Sequence, residues 1–204
     1  MIIMENKIVA ENGTEFYLIP LHRNEIGNAK QLCDICVGKN LYSEKELVDT
    51  VGNKEQFFWL LKTPGGETVG YIYYKFTDTV SLAKYAKIDE KILLDVCENG
   101  ENIGKIQSVG IKENIRGLGI AAQLIKFAAD RLQKAGADAV FTVCWKADGD
   151  AFLAPALKSC GFNYLSSAEY VWYDKKDLVC PICGGRCRCS AEIYFKKAER
   201  GARL

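Results

Sequence analysis

Residues 114–121, with the sequence NIRGLGIA, constrain this chain more than any other stretch. Two glycines stand one residue apart, behind an arginine, between the strand-like run KIQSVGI (105–111) and a long helical pattern. The first turn of a helix has backbone amides without partners inside the helix, and the helix dipole favours negative charge there. Glycines let a phosphate group approach those amides because they carry no side chain. The sequence therefore predicts an anion-binding loop at this helix start.

The residues that follow the loop predict a long amphipathic helix and a second strand. Apolar residues recur at helical spacing on one face, namely Ala121, Leu124, Ile125, Ala128 and Leu132. A nearly continuous apolar run after Gly136 then predicts a strand that is covered on both faces. Strand 105–111, helix 117–135 and strand 138–144 form a βαβ unit, whose two strands we expect to be parallel with a right-handed crossover.

The sequence before this unit predicts antiparallel strands and short helices. Residues 14–21 predict a first strand, and residues 26–50 predict two short helices. Two aromatic-rich runs flank residues 64–66 (PGG), which is typical of a hairpin. Residues 77–101 predict a loop with a short helix.

The sequence after the βαβ unit predicts a further helix at 150–162 and strands at 169–173 (EYVWY) and 191–195. The whole pattern indicates an α+β (mixed α/β) protein with helices on both faces of a mixed sheet.

Three kinds of phosphate-binding loop compete for the glycine-rich run. A P-loop ends in Gly-Lys-Ser/Thr, which is absent here. A dinucleotide fingerprint needs a third glycine, and that place is occupied by Gln123 or Leu124. The third pattern, Arg/Gln-x-x-Gly-x-Gly/Ala, is matched at every fixed position by residues 116–121. This pattern resembles that of the GCN5-related N-acetyltransferase (GNAT) superfamily.

The resemblance covers most of residues 1–174, since the order of elements also fits and residues 159–162 (SCGF) resemble the family's Gly-Phe ending of a helix. It divides the chain into a GNAT-like acyl-CoA-binding domain, 1–174, and a Cys-rich C-terminal extension, 175–204. It implies a mostly antiparallel sheet of about six or seven strands with a splayed parallel pair. It also implies acetyl-CoA as co-substrate and direct attack by a small-molecule or peptide amine in a ternary complex.

The resemblance assigns two groups of backbone contacts to coenzyme A. Val109 and Ile111 would face the pantetheine arm, which lies between the splayed strands like an added strand. The backbone amides of the loop would hold the pyrophosphate, and these belong to Arg116, Gly117, Leu118, Gly119, Ile120 and Ala121.

The catalytic residues are less clear from the sequence. Many family members have a tyrosine as general acid four residues before the glycine of SCGF, and this chain has Leu157 there. The substitutes are Tyr164, Tyr170 and Tyr173, which follow in the chain, and Cys144 at the end of its strand. Each of them also fits a packing role. The alternative function is therefore a non-catalytic protein that binds acyl-CoA or senses metal or redox state.

Nine cysteines are a high count for a chain whose N-terminus does not have the pattern of a secretion signal. We therefore consider metal binding before disulfides. The extension contains CPICGGRCRC, in which Cys180 and Cys183 form a zinc-knuckle pattern and Cys187 and Cys189 follow. These four residues form one candidate zinc site. In the alternative, Cys180 and Cys183 pair with Cys33 and Cys36, and in a third interpretation the thiols stay metal-free or form a redox pair.

Charge and hydropathy narrow the remaining classes. The net charge is +1, so no bulk basic field for nucleic acid exists. No apolar run has the length needed to span a bilayer, and we expect a cytoplasmic protein without nucleic-acid or membrane partners. Homodimers are common in families of this kind, although no feature of the sequence requires one.

Overall fold

The structure, a computed structural model, describes residues 6–97, 100–147 and 149–198. Within them, eight strands form one sheet in the order β1-β2-β3-β4-β5-β6-β8-β7. The strands are β1 (Lys7–Val9), β2 (Glu15–Pro20), β3 (Gln56–Lys62), β4 (Thr68–Thr77), β5 (Ile103–Ile111), β6 (Ala139–Lys146), β7 (Asn163–Ala168) and β8 (Ser190–Lys197). The helices are α1 (Ile26–Cys36), α2 (Glu44–Val48), α3 (Thr79–Ala86), α4 (Glu90–Leu94), α5 (Ile120–Lys134) and α6 (Ala154–Ser159).

The pairing of the strands confirms the predicted fold class. Only β5 and β6 pair in parallel among the described strands, and every other neighbouring pair is antiparallel. The predicted βαβ unit, hairpin, paired short helices and tail strand are all present. The sheet has one strand more than the upper expected number because β1 has only three residues, which is too short to give an alternating pattern.

Helices cover both faces of the sheet, as predicted. Along β3 and β4 successive side chains point to opposite faces. Trp59 and Ile72 pack in one apolar cluster with α5 and α6, whereas Leu60 and Tyr71 pack in another with α1 and α2. A third cluster joins α3, α4, β6 and the cysteine-rich tail. No helix among the described residues has the length and apolar character that crossing a bilayer requires.

The predicted strand at residues 169–173 is wrong. That segment is a turn, and Tyr170 adopts a left-handed backbone conformation with φ of 56°. Val171 and Trp172 are instead buried in the cluster beneath β6 and the tail. Aromatic side chains bury large areas in any backbone conformation, so this pattern reflected packing rather than strand structure. The strand that precedes the tail is β7.

The C-terminal extension is part of the sheet. Its strand β8 lies between β6 and β7 and pairs along its whole length with β6, from Lys146 opposite Ser190 to Ala139 opposite Lys197. Because of this insertion, β7 lies at the sheet edge, one strand farther from β5. The division of the chain at residue 174 stays a prediction.

Candidate active site

The cleft begins where the two parallel strands separate. Residues 104–106 of β5 pair with residues 140–142 of β6, but β5 continues to Ile111 and β6 continues to Lys146. No further pairing joins these two strands in the described part of the chain. The side of β5 that faces β6 therefore has backbone groups available to a ligand beyond Ile106.

A β-bulge lies at the point of separation. Ile106 and Ser108 pair with consecutive residues of β4, which leaves Gln107 as the extra residue on β5. Bulges bend a strand and redirect its side chains and backbone groups. The Ser108 side chain next to the bulge is held by Tyr71, whose hydroxyl lies 2.7 Å from Ser108 Oγ.

The glycine loop adopts the conformation that its composition predicts. Gly117 and Gly119 have φ of 77° and 72°, which side chains other than glycine seldom adopt. Gly119 is the N-cap of α5, and no side chain caps the first-turn amides. A β-carbon at Gly119 would lie 2.6 Å from Glu11 Oε1, whereas one at Gly117 would meet nothing within 4 Å. The loop thus packs against Glu11 at Gly119, whereas there is room for a side chain at Gly117.

Arg116 connects the loop to the preceding strand. Its Nε donates to the carbonyl oxygen of Ile111 at 2.9 Å. Its guanidinium also lies near Cys36, where it favours the thiolate, although burial raises the pKa of Cys36 overall. The side chain therefore holds the loop in place and contributes positive charge at this end of the cleft.

One cleft of about 820 Å³ joins the loop to the separated strands. It is lined by seven of the eight residues predicted to contact coenzyme A, namely Val109, Ile111, Arg116, Gly117, Gly119, Ile120 and Ala121. Leu118 packs instead against the apolar cluster of α5, and its carbonyl oxygen accepts from the Glu11 amide at 3.1 Å. Among the described lining residues, the charged side chains are Glu11 and Arg116, both at the loop end.

The other end of the cleft is aromatic, and the sequence did not indicate it. The hydroxyl of Tyr85 accepts from Trp172 Nε1 at 3.0 Å and from Gln107 Nε2 at 3.3 Å. The amine of Lys105, which is only 2% exposed, lies 3.0 Å from the centroid of the Tyr85 ring. Burial is the main cause that holds the pKa of Lys105 well below its usual value, and the charge of Lys75 acts in the same direction.

Tyr42 brings a free hydroxyl to the same end. This hydroxyl is buried and has no hydrogen-bond partner among the described residues. Burial holds the pKa of Tyr42 well above its usual value, and the nearby Ser108 and Gln107 side chains act in the opposite direction. A phenol that is protonated at neutral pH thus faces the cleft beside the bulge. No local pattern marks Tyr42, because its position depends on packing between the α1–α2 connection and β5.

The structure separates the four catalytic candidates. Tyr173 packs against the guanidinium of Arg186 and does not line the cleft. Tyr164 on β7 and Tyr170 in the following turn are about half exposed and do not line the cleft, because β8 lies between β7 and β6. Cys144 does line the cleft, and burial raises its pKa to about 11, so it is a neutral thiol at neutral pH. Leu157, at the family's tyrosine position, is fully buried in the cluster of α5 and α6.

The cysteines of the tail lie together. The sulfur atoms of Cys180, Cys187 and Cys189 all lie within 4.8 Å of one another, and Cys183 Sγ lies 3.6 Å from Cys189 Sγ. Cys33 and Cys36 do not belong to this group among the described residues. Cys33 is buried between α1 and the sheet, and burial raises its pKa to about 12.

Comparisons with known proteins agree with this geometry. A family model described as "Acetyltransferase (GNAT) family" matches residues 30–162. A search of curated protein sequences finds no match.

Solved structures of low sequence identity share the fold. Chaetomium thermophilum Naa20, in complex with a bisubstrate analogue, is 15% identical with a TM-score of 0.64, over 90% of this chain and 87% of that chain. A Sinorhizobium meliloti phosphinothricin acetyltransferase, in complex with AcCoA, is 12% identical with a TM-score of 0.61, over 93% and 91% respectively. The ribosomal-protein-S18-alanine N-acetyltransferase of Escherichia coli is 12% identical with a TM-score of 0.60, over 92% and 97%.

Proposed function

Because the chain belongs to the acetyltransferase (GNAT) family, we propose that it transfers the acetyl group of acetyl-CoA to an amine by direct attack in a ternary complex. The observation that carries this proposal is the continuous cleft, which runs from the uncapped start of α5 along the separated part of β5 to the β-bulge. The charged side chains of the cleft lie at its loop end. Acetyl-CoA likewise has its charged pyrophosphate at one end and its uncharged thioester at the other.

The donor would bind largely through backbone groups. The amides of the α5 first turn would hold the pyrophosphate, with Arg116 adding positive charge. The amides of the pantetheine arm would pair with the free backbone groups of Val109 and Ile111, as an added strand does. This arrangement brings the thioester to the bulge at Gln107, where backbone amides can stabilise the negative oxygen of the tetrahedral intermediate.

The chemistry needs a neutral amine, a stabilised oxyanion and a leaving thiolate. The amine nitrogen bonds to the thioester carbon, the carbon–sulfur bond breaks, and the amine proton passes to solvent. The cleft end near Tyr42 and Trp172 has no carboxylate among its described lining residues, so it favours the neutral amine over the ammonium. We assign hydrogen-bond donation to the leaving sulfur to the Tyr42 hydroxyl, because it is protonated, buried and without another partner among the described residues, while the released thiolate takes its proton from solvent.

Two protein side chains in the cleft could donate to the leaving sulfur, Tyr42 and Cys144, and Cys144 is the weaker donor. A thiol is a weaker hydrogen-bond donor than a phenol hydroxyl, and Cys144 Sγ already donates to the carbonyl oxygen of Trp145 at 3.8 Å. Tyr42 also lies beside the bulge, where the thioester would sit. Its hydroxyl would first hydrogen-bond to the sulfur and then follow it as negative charge develops.

The aromatic end restricts the acceptor. Tyr42, Tyr85, Trp145 and Trp172 line it, and a second cationic group on the acceptor would lack a carboxylate partner there. We therefore expect apolar or aromatic monoamines to react faster than diamines of equal length.

Turnover over a panel of amines tests the proposal. Release of free thiol from acetyl-CoA, measured with aromatic monoamines, aliphatic diamines and short peptides, should depend on the amine and should be abolished in Gly119→Trp, whose indole would collide with Glu11 and the loop. Binding of acetyl-CoA without turnover of any amine would instead support a non-catalytic acyl-CoA-binding protein.

A further inference from the structure

The segment 180–189 brings four sulfur atoms together. The Sγ atoms of Cys180 and Cys189 lie 3.8 Å apart, and those of Cys183 and Cys189 lie 3.6 Å apart. Cys187 Sγ completes a group with Cys180 and Cys189. With a zinc–sulfur bond of about 2.3 Å, the edge of a regular S₄ tetrahedron is about 3.8 Å. These two separations match that edge, whereas Cys183 Sγ lies more than 4.8 Å from at least one of the other two sulfur atoms, so metal binding would draw it inward.

Backbone amides point at these sulfur atoms. The amide of Cys183 donates to Cys180 Sγ at 3.3 Å, and the amide of Arg188 donates to Cys183 Sγ at 3.4 Å. A tight turn supports them, since the Cys180 amide donates to the Gly185 oxygen at 2.8 Å. Hydrogen bonds of this kind orient thiolate ligands and offset their negative charge.

A buried indole provides an independent sign of a charged sulfur. Trp145 Nε1 is buried and has no nitrogen or oxygen partner among the described residues. It lies near the Cys189 side chain. A buried N–H donor needs an acceptor, and a metal-bound thiolate is a far better one than a neutral thiol.

From these contacts we propose that Cys180, Cys183, Cys187 and Cys189 bind one Zn²⁺ ion in a closed tetrahedral site. Three of the four thiols are buried, and burial disfavours an uncompensated thiolate. A divalent cation supplies that compensation, and soft thiolate ligands in tetrahedral geometry select zinc. Four protein ligands leave no position for water, so the ion is structural rather than catalytic.

The ion also fixes one wall of the cleft. Pro181, Ile182 and Cys187 line the aromatic end, and the segment before them docks on the α1–α2 connection. The Val179 amide donates to the Lys39 oxygen at 2.9 Å, and a β-carbon at Gly38 would lie 3.1 Å from Pro181 Cδ. Metal binding in the tail thereby fixes the position of residues that the amine acceptor would contact. This consequence rests on the proposed function.

Metal analysis of the full chain tests the site without any assay of activity. We expect one zinc ion per chain after purification, and replacement by Co²⁺ should give the visible and thiolate charge-transfer bands of a tetrahedral S₄ site. Cys183→Ser, which changes an exposed ligand, should weaken zinc binding at least about 100-fold. Cys97→Ser is the control, since it removes a thiol from the apolar cluster that contains Cys180, Cys187 and Cys189 but lies outside the sulfur group.

Two results would overturn the site: wild-type protein that binds neither zinc nor cobalt, or equal zinc loss in Cys183→Ser and Cys97→Ser. The effect of the metal on the cleft wall is measured separately, by steady-state kinetics. Cys183→Ser should raise the KM for the amine more than the KM for acetyl-CoA, and equal changes would refute the wall while the metal analysis stands. Because metal content does not depend on turnover, failure of the proposed function leaves this test unchanged.

Discussion

The indole nitrogen of Trp172 donates to the hydroxyl of Tyr85 at 3.0 Å, which joins the turn after β7 to α3 across the aromatic end of the cleft. The same hydroxyl accepts from Gln107, the bulged residue of β5. One phenol oxygen therefore connects three elements that are far apart in the sequence, and it does so beside the expected position of the thioester.

Tyr85→Phe should destabilise the protein by about 1–3 kcal/mol, because it leaves two partly or fully buried N–H donors without their acceptor. It should also raise the KM for the amine, since Gln107 and Trp172 line the acceptor end. Urea denaturation and steady-state kinetics measure these effects. Tyr164→Phe is the control, because Tyr164 is 52% exposed and should change stability by less than about 0.5 kcal/mol. Equal effects of the two substitutions would contradict this role of Tyr85.

Tyr42→Phe should lower kcat at least about 10-fold, because the leaving sulfur loses the hydrogen bond that stabilises its developing negative charge. The KM for acetyl-CoA should change little, since the phosphate contacts lie at the opposite end. Stability should stay constant or rise by about 1 kcal/mol, because the substitution removes a buried hydroxyl without a partner. Steady-state kinetics measure kcat and the KM for acetyl-CoA, and thermal unfolding measures the change in stability. An unchanged kcat would remove Tyr42 from the mechanism.

A side chain fits at Gly117, so two substitutions of nearly equal shape can test the effect of a negative charge at this position. Asn and Asp both tolerate the positive φ of this residue, and no atom within 4 Å would meet their β-carbon. Gly117→Asp should raise the KM for acetyl-CoA at least about 10-fold relative to Gly117→Asn, because its carboxylate repels the pyrophosphate. Kinetics at low ionic strength measure the ratio. A ratio near unity would mean that the pyrophosphate does not lie at this loop.

The buried amine of Lys105 makes the stability of the folded protein depend on pH. Burial lowers the pKa of Lys105 in the folded state, whereas the unfolded chain keeps the proton up to about pH 10.4. The unfolded state therefore binds more protons between these two values, and the stability of the folded protein rises with pH across that window.

Lys105→Met should then be more stable than the wild type at pH 7, by at least about 1 kcal/mol, with the difference shrinking as pH rises toward 10. Lys84→Met, at an exposed position of α3, should show no such pH dependence. Chemical denaturation at several pH values measures both variants. A pH-independent difference for Lys105→Met would show that the folded protein holds this lysine in its charged form.

Local sequence signals predicted the strand, glycine loop and helix that form the loop end of the cleft. The glycine loop is continuous in the chain, and the positive φ values at Gly117 and Gly119 are what glycine permits. The strand before it and the helix after it follow from periodicity alone.

The aromatic end of the cleft depends on contacts that no local pattern contains. Tyr42 and Tyr85 reach the cleft through packing of α1, α2 and α3 against β5, and residues 169–173 resemble a strand only because they are aromatic. The tail strand was predicted from its pattern, but its place between β6 and β7 depends on long-range pairing. That insertion is the reason why Tyr164, close to the glycine of SCGF in the chain, lies away from the cleft.

Calorimetric titration of the purified protein with acetyl-CoA, with NADH as the control ligand, measures donor binding to the cleft independently of turnover. We expect saturable binding of one acetyl-CoA per chain, weakened in Gly117→Asp but not in Gly117→Asn, and no binding of NADH. Absence of binding to acetyl-CoA and to longer acyl-CoA esters would contradict the assignment of the cleft.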